Sequence, residues 1–121
     1  MLREIKTSTR HYFEDVAGLI QGESFEYYDN GKLWVHAFFM DGERHGEYKS
    51  YYDNGNPLVH TVCKNGYRHG RYTRFEKNGD IELHTFFYFG ENLHINPDTL
   101  TEKDILFIMM TGRLPQKEQT C

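Results

Sequence analysis

The sequence predicts an all-β fold, a single antiparallel meander of repeated hairpins followed by a short C-terminal α-helix as a cap. Three observations predict it. Glycines recur every 24 residues along the 121-residue chain, at Gly18, Gly42, Gly66 and Gly90. Asn-Gly and Asp-Gly pairs separate strand-like runs, and aromatic residues are plentiful, with nine Tyr, nine Phe and one Trp. Such a period is typical of one supersecondary unit stacked several times, and aromatic residues suit pleated surfaces.

The middle unit, residues 42–65, shows the pattern clearly. Residues 46–52 are strand-like, residues 53–55 (Asp-Asn-Gly) supply a tight turn, and residues 58–64 form a second strand. Asn and Gly adopt positive φ at little steric cost, so such short links join neighbouring strands into antiparallel hairpins.

The flanking units follow the same order, which predicts a meander of roughly six to eight strands from about Thr9 to Tyr88. Residues 10–16 are expected to form the first edge strand. The predicted organisation is one domain over residues 1–121, with repeats over 18–92 at 18–41, 42–65 and 66–89, and a helix at 101–111.

Alternation along the second strand of each unit assigns its side chains to two faces. One face carries Leu33, Val35, Phe39, Val59, Cys63, Ile81, Leu83 and Phe87. The other carries Trp34, His36, Phe38, Leu58, His60, Val62, His84, Phe86 and Tyr88. Both faces are substantially apolar, whereas a sheet with water on one side alternates more cleanly. We therefore expect curvature, a helix or another protein to cover part of the second face.

A helix is predicted after the repeats. Thr101 is a good N-cap, Asp104 stands at the capping-box position, and Gly112 supplies a C-terminal stop. Residues 105–110 are apolar on every side, so we expect the helix to be buried on more than one side. It is either a lid over the last hairpin or a docking element for a partner or a second copy.

Composition and charge argue against several classes of protein. The net charge of −4 makes nucleic acid an unlikely partner. Residues 1–18 lack the apolar core of a signal peptide, and no run approaches the ~18 apolar residues of a membrane span, so we expect a cytoplasmic protein of a cell or its host. Cys63 and Cys121 imply no disulfide framework. The polar residues 116–121 are expected to fray.

Two stretches carry a resemblance to a known family. Residues 41–48 (DGERHGEY) and 65–72 (NGYRHGRY) are each followed by an aromatic pair or its remnant and an Asn-Gly turn. They resemble the MORN repeat (membrane occupation and recognition nexus), in the variant form of many bacterial proteins and large DNA viruses. The resemblance covers about residues 18–92. It implies successive hairpins that bind proteins, self-associate or contact lipids, with some antitoxin-like bacterial members, and it supplies no catalytic residues.

We predict a non-catalytic interaction module that binds another protein or itself, without a cofactor or a metal ion. Exposed aromatic rings offer large, rigid contact areas. The candidate contact residues are Tyr28, Trp34, Phe38, Tyr52, Phe86, Tyr88 and Phe107. Alternatively, these rings stack across adjacent strands and hold the repeats together. The roles this predicts are a scaffold in a larger assembly, for example a viral particle, and a partner that neutralises another protein.

The alternative function is a peripheral membrane module. Arg44 and Arg68 align one repeat apart and are the candidate lipid contacts. Surrounding glutamates offset their charge, so membrane binding is possible but not favoured.

The histidines and Cys63 are the residue types in this chain that could bind a metal ion or react as nucleophiles. His36, His60 and His84 are predicted to form a column with members roughly 9–10 Å apart, too far for neighbours to share one zinc ion. Tyr or backbone groups are expected to satisfy their imidazoles. His45 and His69 are assigned to turns. Cys63 occupies an apolar position, which predicts a small core residue and not a reactive thiolate.

Overall fold

The computed structural model describes residues 1–115, which form one antiparallel sheet of nine strands with a helix at its C-terminal end. The strands lie across the sheet in chain order, so each pairs with the next. They are β1 Arg3–Lys6, β2 Arg10–Glu14, β3 Gly22–Tyr27, β4 Leu33–Met40, β5 Glu43–Tyr51, β6 Pro57–Lys64, β7 Tyr67–Phe75, β8 Ile81–Tyr88 and β9 Glu91–Asn92. A 3₁₀ turn, Pro97–Thr99, and the helix α1, Glu102–Thr111, follow. The predicted all-β meander with a C-terminal helix is confirmed.

The meander is longer than the roughly six to eight strands that the sequence predicts, and it begins earlier. β1 pairs with β2 and takes the edge position predicted for residues 10–16. Its sequence, Arg-Glu-Ile-Lys, holds one apolar residue among three charged ones. Hydrophobic alternation therefore gave no signal. Backbone pairing and an ion pair between Arg3 and Glu14 attach it to the sheet.

Two-residue turns connect the strands at one end of the hairpins, and they recur once in each repeat. Asp41 and Asn65 have φ of 52° and 50°, and each precedes a glycine that also has positive φ. Two consecutive residues with positive φ make the type I′ geometry that matches the twist of paired strands. Phe89, with φ of 41°, holds the corresponding place before Gly90. The turns explain why the sequence repeats Asp-Gly or Asn-Gly at this interval.

Residues paired across antiparallel strands share a face, so the register divides the side chains into two sets. We name them the groove face and the histidine face. A row on the groove face runs through Ser24, Ala37, Tyr48, Thr61, Tyr72 and Thr85. A row on the histidine face runs through His11, Phe25, His36, Lys49, His60, Thr73 and His84. Small residues alternate with tyrosines on the groove face, and every member of that row except Tyr48 is buried.

The helix covers the last part of the histidine face. Ile108 is fully buried and packs in a cluster with Phe86 and Leu100, flanked by Ile105 and Met109. This confirms that a helix covers part of the second face. Thr101 and Asp104 form the predicted capping box, and Gly112 ends the helix with φ of 72°.

The opposite side of α1 does not fit the expectation that the helix is buried on more than one side. Leu106, Phe107 and Met110 are exposed, because a single-layer sheet can cover only one side of a helix. No helix in the described part of the chain has the length and apolarity needed to cross a membrane. The predicted frayed tail, including Cys121, lies outside the described residues.

Candidate functional site

A groove lies on the groove face above β6, with a volume of about 210 Å³. β5 forms one wall, and the following turn with the start of β7 forms the other. The lining residues are Arg44, Tyr48, Ser50, Leu58, Val59, Thr61, Cys63, Gly66 and Arg68. Because Ser50 and Arg44 come from one repeat unit and Arg68 from the next, the groove is made by the junction of two units.

Two arginines stand at this groove, each stacked on a tyrosine. The guanidinium carbon of Arg44 lies 4.7 Å from the ring centroid of Tyr48, and that of Arg68 lies 4.9 Å from the centroid of Tyr72. Arg68 also lies 5.6 Å from the ring of Phe87. In a strand, residues four apart point to the same face, so the Arg-x-x-x-Tyr spacing places each pair together. Cation–π contact holds the guanidinium over the ring without consuming its N–H donors.

Arg44 and Arg68 differ from the other sheet arginines in having no carboxylate partner among residues 1–115. The other four make ion pairs, namely Arg3 with Glu14, Arg10 with Glu26, Arg71 with Asp98, and Arg74 with Glu82. Both unpaired arginines are exposed. They come from strands two positions apart, a separation of roughly 9–10 Å. The groove therefore has two guanidinium groups whose N–H donors are available to a ligand.

The floor of the groove between the arginines is neutral. Cys63 is 6% exposed, and its burial raises the pKa of its thiol although the positive charges of Arg44 and Arg68 act in the opposite direction. The thiol is therefore protonated at neutral pH. Thr61 is also buried, and its hydroxyl donates to the carbonyl oxygen of Arg71 at 2.8 Å. A neutral floor between two cations suits a ligand that carries negative charge at its edges.

Two of the predicted contact residues have a structural role. The hydroxyl of Tyr28 donates to the carbonyl oxygen of Tyr51 at 2.6 Å, and that of Tyr52 donates to the carbonyl oxygen of Phe75 at 2.7 Å. Burial raises the pKa of the Tyr28 hydroxyl. Each tyrosine thus bonds to the backbone of the following repeat, as in the alternative that these rings hold the repeats together.

The remaining candidates do not form one surface. Phe86 is 1% exposed beneath the helix, so it is not available to a partner, and Tyr88 is half-buried beside it. Trp34 is 43% exposed, with its ring 5.6 Å from that of Tyr28. Phe38 is half-buried on the histidine face. Only Phe107 lies on the exposed side of α1.

Four residues at the groove and on the outer side of the helix were not predicted from the sequence. Tyr48 and Tyr72 stack under the groove arginines, and Leu106 and Met110 accompany Phe107 on the helix. The signal for the tyrosines was present, because the Arg-x-x-x-Tyr pattern occurs twice at the same repeat position. No local signal marks which side of a fully apolar helix faces the sheet.

The predicted histidine column is present, with Lys49 and Thr73 between its members. The partners differ from the expected Tyr or backbone groups. His36 contacts a carboxylate oxygen of Glu23 at 2.8 Å. His84 contacts the Thr73 hydroxyl at 2.8 Å and a carboxylate oxygen of Asp98 at 3.2 Å. The buried Nε2 of His60 has no hydrogen-bond partner in the described part of the chain.

His45 and His69 lie in strands β5 and β7, and the assignment to turns was wrong. The turns occupy only two residues, so the strands begin earlier than expected. Nδ1 of His69 accepts a hydrogen bond from the backbone N–H of Phe89 at 2.9 Å, and burial lowers the pKa of its imidazole. Within residues 1–115, no group of three or more His, Cys, Asp or Glu side chains is arranged to hold a metal ion.

The fold defines a class of protein, a repeat module of β-hairpins, and in this chain the groove lies at the junction of two repeat units. The MORN repeat variant family matches residues 20–41 and 44–62. These two stretches are therefore similar to MORN repeats, which are known as modules that bind proteins or membrane lipids. The two matches cover about a third of the chain, and the third unit continues the same strand order in the structure. None of the curated proteins compared with this chain matches it.

Proposed function

We propose that this protein is a non-catalytic interaction module that binds a protein partner in the groove between Arg44 and Arg68. The observation that carries the proposal is the pair of guanidinium groups that stack on tyrosine rings and have no carboxylate partner among residues 1–115. The other four arginines of the sheet each form an ion pair with a carboxylate of the chain. A protein segment that brings carboxylates to the groove would supply the missing partners.

The shape and chemistry of the groove favour an extended acidic segment. The groove runs over one strand between two neighbours, so its width suits a single chain. Its floor is uncharged, and the ring of Tyr48 on one wall offers apolar contact beside the two arginines. A buried, protonated Cys63 is a poor nucleophile, which supports a binding role for the groove over a catalytic one.

Two kinds of partner fit a small module of this sort. One is a neighbour in a larger assembly, such as the components of a viral particle, and the other is a protein that the module neutralises by covering an acidic segment. In both cases the module acts by occupying a surface, so its effect follows binding and needs no turnover.

The direct test compares capture of partners from native lysate by the whole chain and by an Arg44→Glu/Arg68→Glu variant, with mass spectrometry as the readout. Loss of charge-assisted contacts is expected to weaken binding by about tenfold or more for each arginine. A Lys6→Glu/Lys32→Glu variant makes the same change in net charge away from the groove and is expected to capture the partner normally. Equal capture by all three proteins would contradict the proposal.

The same two arginines favour one second candidate, an anionic lipid headgroup. Vesicles of phosphatidylcholine and phosphatidylserine distinguish the two functions. A lipid module would sediment with them at low salt and be released as salt rises, and the Arg44→Glu/Arg68→Glu variant would not sediment. A protein-binding module retains its partner at moderate salt and ignores the vesicles.

A further inference from the structure

Four exposed asparagines precede a glycine, and the structure does not hold their side chains alike. They are Asn30, Asn54, Asn65 and Asn78. In Asn30, Asn54 and Asn78 the side-chain carbonyl oxygen accepts from the backbone N–H two residues later, at 2.9 Å. The side-chain NH₂ group of these three donates to a further oxygen, at 3.2, 3.4 and 3.2 Å. The side chain of Asn65 makes no hydrogen bond within residues 1–115.

The turn at Asn65 also lacks a contact that holds the two equivalent turns. The backbone N–H groups of Asp41 and Phe89 each donate to a side chain 20 residues earlier, at 3.0 and 2.9 Å. For Asn65 the residue at that spacing is His45, whose buried Nδ1 has no hydrogen-bond partner in the described part of the chain. The turn at Asn65 is therefore the least restrained of the three.

We propose that Asn65 is a site of spontaneous covalent modification, at which the asparagine loses ammonia and becomes aspartate or isoaspartate. The backbone nitrogen of Gly66 attacks the side-chain amide carbon of Asn65, and the new C–N bond closes a succinimide ring. The C–N bond of the side-chain amide breaks, and the leaving nitrogen takes the proton of the Gly66 N–H and departs as ammonia. Water then opens the ring at one of its two carbonyl carbons, which gives aspartate or isoaspartate. Water is the one co-reactant, and no oxidant or reductant takes part.

The hydrogen bonds of the side chains decide which asparagine reacts first. The side chain must turn toward the next backbone nitrogen, and a following glycine has no side chain to obstruct it. Asn30, Asn54 and Asn78 must first give up their side-chain hydrogen bonds. One such bond of typical strength changes a rate by about fivefold, so Asn65 should react at least about fivefold faster than each of the others. The glycine N–H donates to a backbone carbonyl at 2.9 Å in all four pairs, so that bond slows them alike.

A carboxylate at position 65 changes the charge of the groove. Gly66 lines the groove with Arg44 and Arg68, and its N–H donates to the carbonyl oxygen of Arg44 at 2.9 Å. The new negative charge therefore lies close to both arginines and competes with the carboxylates of a partner. Aspartate fits this turn, because Asp41 holds the equivalent place with φ of 52° against 50° for Asn65. The effect on binding rests on the function proposed above, whereas the modification itself does not.

Peptide mapping by mass spectrometry tests the modification, with the whole folded chain incubated at mildly alkaline pH and physiological temperature. Asn65 should accumulate aspartate and isoaspartate at least about fivefold faster than each of the other three asparagines. The same incubation in denaturant removes the hydrogen bonds and should bring the four rates together. Equal rates at the four sites of the folded chain overturn the proposal, as does a faster rate at any of the other three.

Asp80→Ala tests the cause of the difference between the sites. A carboxylate oxygen of Asp80 accepts from the side-chain NH₂ group of Asn78, so the variant removes one of the two bonds that hold Asn78. Asn78 should then react about fivefold faster, with the rate at Asn65 unchanged. An unchanged rate at Asn78 would overturn the control by side-chain hydrogen bonds.

Binding of a fluorescent polyglutamate peptide tests the effect on the groove. Asn65→Asp should bind it at least about threefold more weakly than the wild type. Asn78→Asp makes the same change in charge in the turn between β7 and β8, outside the groove, and should bind it normally; melting curves establish that both variants are folded. Equal binding by Asn65→Asp and the wild type overturns the effect on the groove. A wild type that does not bind the peptide contradicts the proposed function, and the mass measurement still decides the modification.

Discussion

Gly46 and Gly70 set the shape of each repeat. Their φ values, 111° and 129°, belong to a region that side chains rarely adopt. Each lies where the strand register shifts, and a Cβ atom at Gly46 would stand 3.4 Å from the Cβ of Phe38. A Cβ atom at Gly70 would stand 3.6 Å from the Cβ of Val62. The glycines recur at this interval because each repeat needs an irregular backbone position that other residues do not tolerate.

His60 is a residue that the fold holds in its neutral form. Burial and the charge of Lys49 lower the pKa of its imidazole, although Glu47 acts in the opposite direction. Its ring stands edge-on to Tyr51 and Phe75, at centroid distances of 5.9 and 5.5 Å. No hydrogen-bond partner within residues 1–115 reaches its buried Nε2. Protonation of this group would place a cation in an apolar setting beside another cation.

This environment predicts a loss of stability in mild acid. The unfolded chain begins to bind a proton at position 60 as the pH falls through about 6.5, while the folded chain resists until the pH reaches its lower pKa. Stability from this group is therefore fully present above about pH 6.5 and declines below it. Melting temperatures measured between about pH 7.5 and 5.5 should fall more for the wild type than for His60→Phe.

The difference between the melting curves of the wild type and of His60→Phe measures the contribution of His60 alone. His69, whose pKa is also lowered by burial, acts in the same direction in both proteins. Wild-type and His60→Phe curves that run parallel across the whole pH range would show that position 60 does not contribute.

Among the elements of the fold, successive hairpins are joined by side-chain hydrogen bonds that recur from one repeat to the next. Tyr28 and Tyr52 each bond to a backbone carbonyl 23 residues later. Asn30 and Asn54 do the same from the adjoining turns, to the carbonyl oxygens of Asp53 and Lys77. These hydrogen bonds tie each Asp-Asn-Gly turn to the next hairpin. They make the stability of one repeat depend on its neighbour.

Tyr52→Phe is the variant that tests this contact. It removes one hydroxyl and leaves the carbonyl oxygen of Phe75 without its donor, so the free energy of unfolding should fall by about 0.5–1.5 kcal/mol. Denaturant titration measures the change. Tyr67→Phe is the control, because Tyr67 is 56% exposed, and its effect should stay within about 0.5 kcal/mol. Equal effects of the two substitutions would contradict a structural role for the Tyr52 hydroxyl.

Elements whose signals are local were predicted well. The helix cap depends on hydrogen bonds between Thr101 and Asp104, three residues apart, and the structure contains both. β1 was missed because its short, charged sequence has no signal of its own. The groove arginines were identified from their alignment, but as lipid contacts only. Tyr28 and Tyr52 were predicted to lie on a binding surface. Their structural role was not recognised, because the carbonyl oxygens that they bond lie 23 residues away in the sequence.

At the scale of the whole molecule, the two ends of the sheet differ. At the C-terminal end the helix and the 3₁₀ turn pack beside β8, next to the two-residue β9. At the other end β1 has one neighbouring strand, and three of its four residues are exposed. In a repeat array each unit is stabilised by its neighbours, so the end with fewer contacts opens most readily.

Hydrogen exchange measured by mass spectrometry should show this asymmetry. Amides of β1 are expected to exchange at least about 100-fold faster than those of β5 and β6, which are paired on both sides. Peptides that contain β8 should be protected, since the helix covers Phe86. Equal protection of β1 and the central strands would show that the sheet opens as one cooperative unit.

The sequence by itself determined the repeat, the order of the strands, the turns and the helix cap, because each depends on residues that lie close together along the chain. Only the tertiary structure decided which aromatic rings are exposed, which side of α1 is exposed and which arginines have no carboxylate partner within residues 1–115. These properties depend on strands brought together by pairing across whole repeats. The physical reason is that burial and charge neutralisation are set by neighbours in space, and the 24-residue period identifies only which positions are equivalent.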